Sequence, residues 1–305
     1  MKTGLSLLIL LVVFQVDVIA YPISPRPLRL LIEESELIVW AHVQDIRTRM
    51  EKGKNEFEST VAVLTIYEVL QGTVKASQIE VPYAAGWICP APPHFEKGTD
   101  VLVFLDQKKG SYSVHALSYG VKEMKAEEMA IYKKRIAEMQ HIMTIEDPDT
   151  KFLSTTEWLV KCAEERITRH EGTYELSRDS DFMSYYDQNE GQPFQHALTG
   201  EQRLRLKKAL LSTRDLLYSD LGLIDLVYST DAAAICKFML AKLQAVNENE
   251  LWYASDFMVR INLYRSTPKT VALTKAFEEK RFDFDAKPDH LKSILEEYLI
   301  EAGKL

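Results

Sequence analysis

Between residues 37 and 117 the apolar residues fall in short segments, and in the first of these, residues 37–43, every second position is apolar. This period of two is typical of β-strands, since successive side chains of a strand point to opposite faces of a sheet. Turn residues such as Gly72 and Gly110 separate the segments. The pattern predicts five strands, at residues 37–46, 59–70, 78–83, 99–106 and 112–117.

Two apolar segments add detail to this pattern. Residues 101–105 are all apolar, which predicts a strand that is buried on both faces. Residues 28–36 place Leu28, Leu31 and Ile32 on one face of a short helix that precedes the first strand.

Three polar segments predict connections. Residues 47–55, which include Gly53, indicate a turn or a hairpin tip. The sequence from Lys108 to Gly110 predicts a tight turn between the fourth and fifth strands. Residues 172–197 lack any periodicity and predict a long loop.

From residue 123 onwards the apolar period changes to that of a helix. Met129, Tyr132, Ile136, Met139 and Met143 follow this spacing before the sequence Asp-Pro-Asp ends the helix. Capping-box patterns at residues 154–157 and 199–202 indicate two further helix starts. The predicted helices cover residues 123–143, a segment that begins at residue 154, and residues 199–212, 221–228, 231–246, 250–264, 267–280 and 288–302.

Strands followed by helices indicate an α+β protein. Five closely spaced strands, the long ones apolar on both faces, predict a small five-stranded antiparallel β-barrel of the OB type, followed by an all-α helical domain. We expect the barrel at residues 21–122 and the helical domain at residues 123–305, with the boundary between Tyr119 and Lys125. Short connections also allow a HEAT-type helical repeat, although no motif recurs at a fixed period.

Residues 1–20 have the features of a secretory signal peptide. Lys2 supplies the positive start, residues 5–16 form an apolar run, and Val18 and Ala20 occupy the small-residue positions of a cleavage site. The apolar run is shorter than the ~20 residues that a membrane-spanning helix needs. We therefore expect a secreted or periplasmic protein that begins at Tyr21, with no membrane span after signal cleavage.

Charge and cysteine content exclude several classes of function. The chain holds 37 basic and 45 acidic side chains, a net charge of −8, which disfavours a nucleic-acid partner. Cys89, Cys162 and Cys236 are far apart and form no C-x-x-C pair, so the spacing of a zinc site is absent. The sequence also has no glycine-rich phosphate loop, and we expect no metal site and no cofactor. Because Cys162 and Cys236 are predicted on buried helix faces and Cys89 lies in the other domain, we expect three free thiols and no disulfide within the chain.

The proline-rich segment at residues 86–95 supplies the candidate binding residues Trp87, Cys89, His94 and Phe95. Cys89 and His94 could act as nucleophile and base, or as a packed thiol and a solvated imidazole. Trp87 and Phe95 could anchor a partner, or they could plug the end of the barrel. The sequence alone leaves both alternatives open.

The loop predicted at residues 172–197 is acidic as well as aromatic. The spacing of Asp179, Asp181, Asp187 and Glu190 does not match the ligand spacing of an EF-hand loop. This favours a solvated acidic loop over a calcium site.

Segments 36–43, 63–72 and 89–98, together with the apolar strand that follows them, resemble exported bacterial proteins with an OB-like barrel. That barrel is similar to the one in the tissue inhibitors of metalloproteinases and in netrin modules. Residues 157–164 and 171–176 resemble the segments that follow the barrel in these bacterial proteins. The resemblance implies a fold and no assigned activity.

These features favour an exported, non-enzymatic protein that binds an unidentified protein or envelope component, with the loop at residues 87–95 as the candidate binding segment. The alternatives are an envelope hydrolase with a site between the two domains, and a protease-inhibitor-like module. Metalloproteinase inhibitors of this barrel type present an N-terminal cysteine to the protease zinc. This chain would begin at Tyr21 and has no cysteine before Cys89, so we expect no inhibition by zinc chelation.

Overall fold

The computed structural model describes residues 26–51, 57–85, 91–177, 194, 197–214, 217–283 and 287–304, which form an antiparallel sheet followed by helices. The first elements are helix α1 (Leu28–Glu34) and strands β1 (Leu37–Glu51), β2 (Phe57–Gln71), β3 (Gln78–Tyr83), β4 (Asp100–Lys108), β5 (Ser111–Val114) and β6 (Val121–Glu123). The later helices are α2 (Ala126–Met143), α3 (Pro148–Glu164), α4 (Arg169–Leu176), α5 (Gly200–Leu211), α6 (Asp220–Val227), α7 (Ala232–Leu243), α8 (Ala254–Tyr264), α9 (Pro268–Arg281) and α10 (Pro288–Ala302).

The strands form one antiparallel sheet in the order β3-β2-β1-β4-β5, in which β6 also pairs with β4. The prediction of five strands missed β6, because its 3 residues are too few to show a period of two. The backbone hydrogen bonds of the described strands leave the sheet open between β3 and β5. These two edge strands approach within 8 Å between Cα atoms, but they form no ladder.

The predicted tight turn joins β4 to β5. Its two central residues, Lys109 and Gly110, have φ angles of 51° and 83°. A two-residue type I′ turn requires positive φ at both positions, and its twist matches that of the flanking strands. The sequence therefore located this hairpin correctly.

Strand β4 is buried on both faces, as its apolar sequence predicts. Val101, Val103 and Leu105 belong to the core that the sheet encloses, together with residues such as Val39 of β1. Leu102 and Phe104 point the other way and pack in the larger core of the helices. Strand β4 therefore contributes to two separate apolar cores, one inside the sheet and one between the sheet and the helices. The chain passes from β6 to α2 at residues 124–125.

The first hairpin is longer than the sequence indicates. Residues 47–55 are predicted as a turn or a hairpin tip, but β1 continues to Glu51 and β2 begins at Phe57. The backbone pairs of Arg47 with Val61 and of Thr48 with Thr60 belong to this extension. Two strands can pair beyond the apolar core because a ladder satisfies its own backbone groups without a buried side-chain face. Residues 52–56 lie outside the described part of the chain.

Of the two capping boxes that the sequence predicts, the structure uses only one as the start of a helix. Thr199 caps α5 as predicted, since its hydroxyl accepts from the amide of Gln202 at 3.2 Å. Ser154 caps no helix, because α3 already begins at Pro148 behind Asp147, whose carboxylate accepts from the amide of Thr150 at 2.8 Å. The sequence Asp-Pro-Asp is therefore the start of α3 as well as the stop after α2.

The loop prediction at residues 172–197 is wrong at its beginning, where α4 extends to Leu176. Gly172 lies against α3, and a Cβ atom at this position would be 2.3 Å from the carbonyl oxygen of Leu159. The glycine thus marks a close helix contact rather than a break in structure. The acidic residues at 179–190 lie outside the described residues.

A buried carboxylate connects the helices to the sheet. The side chain of Glu171 in α4 is 7% exposed and lies 2.6 Å from Nζ of Lys122 in β6. It also accepts from the backbone amide of Leu28 at 2.9 Å and from the hydroxyl of Tyr132 at 3.3 Å. Because Pro27 at the N-cap of α1 has no capping side chain, Glu171 supplies that cap from a distant helix.

Two of the three cysteines lie within the described residues. Cys162 and Cys236 are both free and buried, on helices α3 and α7. Cys89 and the predicted signal peptide at residues 1–20 lie outside the described part of the chain. Among the helices that the structure describes, none has the length and apolar character needed to cross a membrane.

Candidate functional site

The structure describes two of the four predicted binding residues. Phe95 is 4% exposed and packs inside the sheet against Tyr83, with 5.2 Å between the ring centroids. His94 is exposed to solvent. Trp87 and Cys89 lie outside the described residues, so the pairing of Cys89 with His94 stays a prediction. The ring of Phe95 is therefore part of the core inside the sheet.

The outer face of the sheet carries a cluster of three polar side chains. Nδ1 of His42 lies 2.7 Å from Oδ1 of Asp100, and the Tyr67 hydroxyl donates to the same oxygen at 3.2 Å. Tyr67 is the extra residue of a β-bulge between the pairs of Trp40 with Glu68 and of Ala41 with Ile66. The bulge turns the Tyr67 side chain towards Asp100.

We call His42, Asp100 and Tyr67 the sheet-face cluster. It contains the His-Asp pair of a catalytic triad, but among the described residues it contains no nucleophile bonded to the histidine. When Nδ1 of His42 donates to Asp100, Nε2 carries the lone pair of the neutral imidazole. Within the ranges that the structure describes, no hydroxyl or thiol is hydrogen-bonded to His42. A Ser-His-Asp type of site needs such a partner for the base. The sequence gives no signal for the cluster, since Asp100 is 58 and 33 positions from its partners.

A cavity of about 540 Å³ lies between α7, α8 and the end of α10. We call it the α7 groove. Its apolar lining includes Ala234, Cys236, Ala241, Ile261 and Ala302.

The sequence of α7 explains how this space arises. Ile235, Met239 and Leu243 form the buried face of the helix and pack into the core. Other positions of α7 carry the alanines that line the groove, among them the half-buried Ala234 and the exposed Ala241. The run of alanines is visible in the sequence, but the cavity depends on what α8 and α10 place opposite it.

The polar groups of the α7 groove are Lys237, Gln244 and Arg265. The described lining contains no carboxylate. Among the ion pairs of the described residues, none involves Lys237 or Arg265. The guanidinium of Arg265 stacks on the ring of Tyr264 at 5.3 Å from its centroid. The groove therefore combines an apolar floor with two cations.

The thiol in the groove is not set up as a nucleophile. Cys236 is 4% exposed, and its sulfur lies 3.7 Å from the Tyr228 hydroxyl. Burial raises the pKa of the Cys236 thiol, which keeps it protonated. The groove thus has no acid and base pair among its described lining, and it offers binding surface rather than reactive groups. Over the described residues, no three His, Cys, Asp or Glu side chains converge as a metal site.

No known protein-family model matches the chain, and no curated protein sequence matches it. Function must therefore be inferred from the α7 groove and the sheet-face cluster. Of these two, the groove has the volume and the lining that are typical of ligand sites.

Proposed function

We propose that this protein is an exported, non-enzymatic binding protein that holds a small apolar ligand in the α7 groove. The observation that supports this function is the cavity of about 540 Å³, which has an alanine-rich floor and few polar groups. Ligand sites in proteins typically measure about 300–1,000 Å³ and are lined by apolar side chains with a few placed polar groups.

Two observations support binding over the alternative of an envelope hydrolase. The thiol in the groove is buried and protonated, with no general base among the groove's described lining. On the sheet face, His42 and Asp100 form a dyad with no nucleophile bonded to the imidazole in the described part of the chain. A hydrolase of the acyl-transfer type needs both groups in one place.

Our proposal for the sheet is an OB-like barrel of the type found in metalloproteinase inhibitors and netrin modules. It is supported by the strand order β3-β2-β1-β4-β5 and by the approach of β3 and β5 within 8 Å. Export by a signal peptide at residues 1–20 is part of the same proposal. A mature chain that begins at Tyr21 lacks an N-terminal cysteine, so a protease-inhibitor role would not use zinc chelation.

The test is a titration of the purified protein with a neutral apolar dye, N-phenyl-1-naphthylamine. We expect a saturable rise in fluorescence with one site per chain. Ala241→Trp fills the groove and should abolish this site, because the new indole occupies the ligand volume. The matched control is Ala272→Trp, at an exposed position of α9 that does not line the groove, and it should bind the dye normally.

Circular dichroism should show that both variants are folded. Absence of saturable dye binding, or equal binding by both variants, would show that the α7 groove is not the ligand site.

A further inference from the structure

We propose that the ligand of the α7 groove is an anionic amphiphile, with an unbranched apolar chain and a carboxylate that binds Lys237 and Arg265. This inference rests on the proposed function and specifies its ligand class. A medium-chain fatty acid has this chemistry. The apolar chain would lie along the alanine floor, and the carboxylate would lie between the two cations.

The charge distribution around the groove supports this class. The protein has 45 acidic and 37 basic side chains, yet the described groove lining includes two cations and no carboxylate. Two other cations of the helical region are paired with acids. Lys207 lies 2.6 Å from Asp231, and Arg260 lies 2.7 Å from Asp225. Two cations on one cavity attract an anion, because each can form a charge-assisted hydrogen bond with it.

The positions of the two cations also suit a ligand that has a charged head group and an apolar tail. Lys237 lies on α7 among the alanines, where its aliphatic stem can cover apolar surface while its ammonium group stays in water. Arg265 follows the last residue of α8, and its stacking on Tyr264 orients the guanidinium. An oriented guanidinium can donate two parallel hydrogen bonds to one carboxylate.

The experiment measures displacement of N-phenyl-1-naphthylamine by three probes with the same apolar chain: dodecanoate, dodecanol and dodecyltrimethylammonium. We expect dodecanoate to displace the dye best and the cationic probe worst. Lys237→Met and Arg265→Met should each weaken dodecanoate about tenfold, since hydrogen bonds to charged groups are strong enough for such an effect. Both variants should bind dodecanol as the unmodified protein does. Lys275→Met, at an exposed lysine of α9 outside the groove, is the matched control and should change nothing.

The outcomes separate the two proposals. If the dye binds but dodecanoate and dodecanol displace it equally, and the methionine variants bind both normally, then the ligand class is wrong while the groove remains a ligand site. If neither the dye nor any probe binds, both proposals are wrong. If the protein is a dimer that Ala241→Trp dissociates, the groove is a contact between two copies of the chain, which also overturns the inference.

Discussion

Replacement of Glu171 by glutamine should destabilise the whole protein, because this carboxylate accepts from three different elements. Its partners are the backbone amide of Leu28 in α1, the ammonium of Lys122 in β6 and the hydroxyl of Tyr132 in α2. All three partners are donors. A glutamine side chain has only one acceptor oxygen and would turn its own amide donors towards at least one of them.

The expected loss follows from the burial of the group. Removing one partner of a buried ion pair costs about 3–5 kcal/mol. Lys122 is 20% exposed and can recover some hydration, so the lower end, about 3 kcal/mol, applies. The Arg29 to Glu175 pair, at 2.6 Å, still connects α1 to α4 in this variant. The variant should therefore fold, with Tm lowered by about 6–12 °C.

The pH dependence gives a second measure of the same contact. Burial by itself would raise the pKa of Glu171, but Lys122 and the other donors outweigh it and lower the pKa below its ordinary value. A carboxylate with a lowered folded-state pKa stabilises the protein above its ordinary pKa, and this contribution disappears as pH falls through the lowered value. The difference in stability between the unmodified protein and the Glu171→Gln variant should therefore shrink in acid.

The assay is urea unfolding followed by circular dichroism at several pH values. Glu297→Gln is the matched control, since Glu297 is 53% exposed and its pair with Lys269 lies on the surface. This control should leave the unfolding midpoint unchanged. If Glu171→Gln and the control unfold alike at neutral pH, Glu171 does not hold the sheet and the helices together.

Two further predictions concern the residues that the sequence singled out. Phe95→Ala should lower the stability by about 3 kcal/mol or more, because the ring is packed inside the sheet against Tyr83; an unchanged Tm in differential scanning calorimetry would contradict that packing. Denatured, unreduced protein should titrate three free thiols with a thiol reagent, since Cys162 and Cys236 are free and buried. A titre of one thiol would mean that two cysteines are joined.

Much of the secondary structure could be predicted from local patterns. The bounds of β3 and α10 agree with the prediction, and β4 is buried on both faces as its five apolar residues indicate. The N-terminal cap of α5 at Thr199 was also predicted from the sequence. These features depend on neighbouring residues, because strand and helix periods are properties of a short segment.

The candidate sites were much less predictable. Neither the α7 groove nor the contact between His42 and Asp100 follows from a motif, because each is formed by residues that are distant in sequence. The loop residues that the sequence favoured include Phe95, which is buried. An aromatic residue in a polar loop has the same sequence pattern whether it faces a partner or the core.

The sequence by itself therefore determined an α+β protein, the positions of most strands and helices, and the excess of acidic charge. Tertiary structure decided the open edge between β3 and β5, the role of Glu171 and the existence of the groove. The physical reason is that a local period fixes which face of an element is apolar. It does not fix the partner of that face. A cavity arises only where the elements that face each other both carry short side chains. A buried carboxylate is stable only where donors from distant parts of the chain form hydrogen bonds with it.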